Sequence, residues 1–166
     1  METMTTALPI TGDLLMSELW ARDVRFIMGR KQNHPPRLDP EQLIAALAES
    51  HEARLGMALI PLFLQYPEYA AHAKAVASNL SPSARLMLQC YYTATVWLEQ
   101  EHLSRINSLP DLFSKELGLS PTKDPEENLR ALGKRHQELS GERINWIGTY
   151  EHAAEVWLKE LELQKG

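Results

Sequence analysis

The chain has 166 residues, 44% hydrophobic and 23% charged, close to globular averages, so one folded domain is expected and neither a disordered chain nor a fibrous repeat is indicated. Seventeen Lys and Arg stand against 22 Asp and Glu for a net charge of -5, which excludes a uniformly basic nucleic-acid binder but permits local basic patches. The single cysteine, Cys90, excludes an intramolecular disulfide and a cysteine-rich zinc site, and it fits a reducing compartment.

Residues 1–10 read as a loose tail whose first charge is Glu2. Without the basic start of an export signal, the expected location is the cytoplasm. The single domain is expected over 11–166. Thr11 can cap a first helix in which Leu14, Leu15, Leu19, Trp20, Val24, Ile27 and Met28 recur at helical spacing, with Gly29 ending it. Residues 30–38 then read as a flexible linker, because Pro35 and Pro36 remove two backbone donors and disfavour helix before them.

Asp39-Pro40-Glu41 restarts a helix with a capping carboxylate and a first-turn proline. A helix over 51–65 follows, kinked by Pro61, and a further helical piece spans 67–79. Short helices joined tightly around a proline kink look like HEAT-type stacking, but so few helix pairs do not establish a repeat. Ser81-Pro82 opens the longest helix, about 82–106, apolar around most of its circumference and therefore expected at the centre of a bundle. Its most apolar stretch, 86–98, is too short for a membrane span of about 20 residues. A short helix is predicted over 110–117, closed by Gly118. Asp124-Pro125 starts another that reaches about Leu139, and a final helix runs over 143–163 beyond Ser140-Gly141. No alternating segment reads as a strand. The fold class is all-α, a compact bundle of seven to eight helices around the long central one.

No phosphate-binding glycine loop, G-x-S-x-G elbow, H-E-x-x-H pair or C-x-x-C motif is present, so the enzyme classes that carry such motifs are not indicated. Glu99 and His102 have the Glu-x-x-His spacing of di-iron bundle sites, but the second such pair is missing and His152-x-x-Glu155 runs in reverse order. Hence no metal and no cofactor are expected. Arg130 and His136 match the R-x4–6-H spacing of HEPN-type ribonucleases, in which an arginine holds phosphate and a histidine moves the ribose proton. Ala131 departs from that pattern, which usually has a polar residue after the arginine.

Two groups suit binding instead. Arg22, Arg25, Arg30, Lys31 and Arg37 gather against one acid, Asp23, as an island that could dock an acidic partner or a nucleic-acid backbone, or simply be solvated. Arg143, Asn145, Trp146 and Tyr150 surround the break after Ser140-Gly141, where the two aromatics fall one helical turn apart and can form a ridge. The competing interpretation is a helix–helix corner that satisfies its own backbone.

The blocks RLDPEQLIAALA (37–48), ARLGMALIPLFLQYPE (53–68) and RALGKRHQELSG with the following Asn-Trp (130–146) resemble a family of short all-helical bacterial proteins with no assigned chemistry. That family is associated with genes for small nucleotidyltransferase-domain proteins in a toxin–antitoxin-like arrangement. The resemblance implies a partner protein rather than an activity. The functional expectation is accordingly a non-catalytic protein-interaction module that binds another protein or itself, with nucleic acid less favoured and no membrane. The HEPN-like, metal-independent ribonuclease is the alternative.

Overall fold

The computed structural model describes residues 9–30, 34–103 and 109–165. Among these there is no strand, and the α-helices are α1 (Gly12–Ala21), α2 (Pro40–Glu49), α3 (Ala53–Met57), α4 (Leu59–Gln65), α5 (Ala70–Ser78), α6 (Pro82–Leu103), α7 (Pro125–Ser140) and α8 (Trp146–Lys165). None of them is long and apolar enough to cross a membrane.

Local signals set several helix ends. Thr11 caps α1 through Leu14 N–H, and Asp39 and Gln42 form a reciprocal capping box on α2. Asp124 accepts from Glu126 N–H, and Gly141 ends α7 at φ 73 in the left-handed region. The chain over 51–65 breaks at Ala58 into α3 and α4. Pro61 explains the position, since it offers no N–H to Met57 and its ring crowds that carbonyl four residues back.

Two segments depart from expectation. α1 stops at Ala21, well before Met28. Asp23 adopts φ 63, its N–H donates to Trp20 O at 2.9 Å, and Val24 N–H donates to Leu19 O at 2.8 Å. This pair of bonds is a Schellman closure in which buried Val24 covers Leu19, with aspartate in the place glycine usually takes. Gly29 instead makes room for Trp20, whose indole N–H donates to Ile27 O; a Cβ at 29 would lie 2.2 Å from that nitrogen. Residues 110–117 form turns rather than a helix, closed by Leu119 N–H to Ser114 O, although Gly118 has the expected positive φ.

α6 is the axis. It packs against α2, α4, α5, α7 and α8, and every residue from 88 to 99 is buried. α4 is equally enclosed, with Leu59 through Leu64 all buried between α6 and α8. Edge-on rings connect the layers: Phe63 meets Tyr92 at 5.0 Å and Tyr92 meets Phe113 at 5.6 Å, while Tyr92 O–H donates to Pro110 O.

A buried ion pair ties the N-terminal helix to the chain that follows. Glu18 Oε1 accepts from Arg22 Nη1 at 3.1 Å, from Arg37 N–H at 2.9 Å and from Leu38 N–H at 2.6 Å. Arg22 in turn donates to Tyr69 Oη and to Leu38 O. Burial pushes the Glu18 carboxyl upward, but the hydrogen bonds from Leu38, Arg37 and Arg22 outweigh it and hold the group below its ordinary value.

Candidate functional site

One member of the basic island is not at the surface. Arg22 is buried in the Glu18 network, with its carbonyl held by Tyr66 O–H at 2.6 Å, so it is a structural residue and not a docking one. Arg25 donates to Asp23 Oδ1 at 2.8 Å and lies 5.4 Å from the Trp20 ring. The side chains of Arg30 and Arg37 are exposed. Lys31 lies outside the described residues.

The aromatic pair at the start of α8 also turns inward. Trp146 is 6% exposed and Tyr150 is fully buried, so neither forms an exposed ridge. His136 stacks on Trp146 with centroids 3.5 Å apart and planes 11° apart, and Tyr91 of α6 stands edge-on to His136, Trp146 and Tyr150. The His136 Nδ1 and Tyr150 Oη atoms are 2.6 Å apart. Burial raises the Tyr150 phenol well above its ordinary range and lowers His136 to about 4. With the phenol protonated and the ring neutral, the two groups share one short hydrogen bond whose direction follows the imidazole tautomer.

This geometry separates the proposed ribonuclease pair. Six residues along a helix correspond to about 600° of rotation, so Arg130 and His136 leave α7 roughly 120° apart. Arg130 is exposed and pairs with Glu126 at 2.6 Å, whereas His136 is 2% exposed in the core. They share no cleft, and a neutral histidine held near 4 is poorly matched to proton transfer near neutrality. Cys90, also buried, has its thiol pushed up to about 12 and is no nucleophile at neutral pH.

What the α7–α8 corner does expose is a groove of about 500 Å³. Gly133 permits it, because a Cβ there would lie 2.8 Å from Ile147 Cγ1 and push the helices apart. Arg130, Lys134 and Arg143 line the groove against one carboxylate, Glu138, with Ile144 42% exposed beside them. Among the described residues neither Lys134 nor Arg143 is ion-paired. Asn145 caps α8 by accepting from Gly148 N–H at 3.1 Å. Arg130 and Lys134 fall on one face at i and i+4, a spacing legible in the sequence; Arg143 joins them only when the Gly141 turn folds the chain back.

A second cluster lies where the end of α6 meets α8. His102 Nε2 is 2.9 Å from Glu151 Oε2 and 3.1 Å from Glu101 Oε1. Glu99 is buried, and the carboxylates that pair with His102 are those of Glu101 and Glu151, outside the Glu-x-x-His spacing. Burial, together with the hydrogen bond and charge of Glu151, pushes the Glu101 carboxyl up to about 7, opposed by His102. Glu151 is 49 residues away from His102 in sequence, and no local pattern points to it.

No family model matches this chain, and neither does any curated protein or solved structure.

Proposed function

We propose that the chain is a non-catalytic, all-helical interaction module of the bacterial cytoplasm, and that the α7–α8 groove receives an acidic segment of a partner protein. The observation that carries this reading is the charge of the groove: Lys134 and Arg143, neither ion-paired among the described residues, and Arg130, paired with Glu126, face one lining carboxylate in a chain of net charge -5. Such local contrast steers an anionic partner and fixes its register. The apolar floor at Ile144 and Ile147 and the carboxylate of Glu138 suit a protein helix of mixed character better than a phosphate backbone. The resemblance noted in the sequence makes the partner a nucleotidyltransferase-like protein in a toxin–antitoxin or defence pair.

Co-expression of the chain with that neighbour should yield a complex on size exclusion that dissociates as salt is raised. The double substitution Lys134→Glu and Arg143→Glu should abolish the complex while leaving the helical circular dichroism unchanged. A complex indifferent to both substitutions, binding to RNA instead, or a partner-free chain would overturn the proposal. No feature of the geometry favours the ribonuclease alternative.

A further inference from the structure

We propose that Glu101, His102 and Glu151 form a binding site for a divalent transition-metal ion, with Zn²⁺ the ion its donors suit best. The three ligand atoms, one imidazole nitrogen and two carboxylate oxygens, all lie within 4.8 Å of one another. They come from two helices whose packing fixes the separation, so the site does not depend on a loop closing. Such a mixed nitrogen and oxygen set is the donor chemistry of zinc and its neighbours, whereas magnesium and calcium favour oxygen donors alone.

Charge supports the same conclusion. The side chains of Glu101, His102 and Glu151 are 23%, 27% and 27% exposed, so two carboxylates are drawn together away from most of the solvent. Among the described residues no Lys or Arg is ion-paired with either one. A dication bound by neutral imidazole offsets the charge of two ionised carboxylates and displaces any proton they share. Three protein ligands also leave at least one coordination position for water or an exogenous group, as open zinc sites do. This site is separate from the α7–α8 groove and does not depend on the interaction reading.

The test is calorimetric titration of the whole chain with ZnCl₂, paired with Co²⁺ absorption as a report of coordination. One ion per chain is expected. The Co²⁺ spectrum should show ligand-field bands without a thiolate charge-transfer band, because Cys90 is buried elsewhere. His102→Ala and Glu151→Gln should each weaken Zn²⁺ binding by about tenfold or more, whereas His72→Ala, which removes an exposed His–Glu pair elsewhere, should leave it unchanged. Native mass spectrometry of the wild-type chain with Zn²⁺ needs no variant. Absence of a stoichiometric ion there, or Zn²⁺ affinities in the two site variants equal to the wild type, would overturn the proposal.

Discussion

Acidification should destabilise the protein through His136. Its ring is stacked on Trp146 and bonded to Tyr150, and burial lowers its pKa from 6.5 to about 4. The unfolded chain takes up this proton near pH 6.5 and the folded chain only near 4. The contribution to stability is therefore intact above 6.5, falls as the pH drops through that window, and changes no further below 4. At roughly 1.4 kcal/mol per pH unit the whole effect is about 3 kcal/mol, of which about 2 is lost by pH 5. Urea denaturation at pH 7 and pH 5 measures it in the wild type and in His136→Gln, which cannot take the proton. Glu18 and Glu101 titrate in both proteins, so the difference between the two pH dependences isolates the histidine. Wild type should lose about 2 kcal/mol more than the variant. Equal losses would refute the reasoning, for they would mean that the ring is no harder to protonate in the fold than outside it.

Glu18→Gln should cost about 3–5 kcal/mol by urea denaturation, because it strands Arg22 as a buried charge. The same variant should lose less stability than wild type as pH falls below 4.5, since it removes a carboxyl held below its ordinary value. Tyr150→Phe should destabilise by about 1–3 kcal/mol, as read by urea denaturation, by leaving Nδ1 of the buried His136 without its hydrogen-bond partner. Gly133→Leu should lower the melting temperature by a few degrees as the new side chain wedges α7 from Ile147, with a cost of about 1–3 kcal/mol, and should also disturb the groove.

The parts of this fold that were legible in the sequence are those decided within a few residues. Asp39-Pro40, Asp124-Pro125 and Gly141 state their helix ends locally, and the apolar circumference of α6 states its central place. The end of α1 was not legible. The apolar spacing continues to Met28, but the turn at Asp23 is held by Gln65 at the end of α4 and Tyr66 just beyond it, 42 to 44 residues away. Residues 110–117 similarly lose their helix to tertiary contacts, since Tyr92 takes the Pro110 carbonyl and Phe113 packs into the ring cluster.

The candidate site shows the same division. Trp146, Tyr150, Ala153 and Trp157 recur at helical spacing and are all buried, so the periodicity of α8 pointed inward while the chemistry of two aromatics suggested an exposed ridge. Periodicity was the better guide. Likewise, the count of cations at 22–37 said nothing about their partners, and Arg22 is spent on Glu18. Groups assembled from distant segments left no spacing to read: Arg143 beside Lys134 across a turn, and Glu151 beside His102 across 49 residues.

The central claim is that the α7–α8 groove binds an acidic partner segment through Lys134 and Arg143. Its most direct test is the affinity of a nucleotidyltransferase-like protein, the partner proposed above, for the wild-type chain and for the Lys134→Glu, Arg143→Glu variant, measured by fluorescence anisotropy over a range of salt concentrations. Wild-type affinity should fall steadily as salt rises, and the variant should bind at least tenfold more weakly at low salt, a loss of about 1.4 kcal/mol or more. Affinities that match at every salt concentration, with both proteins fully folded, would contradict the account.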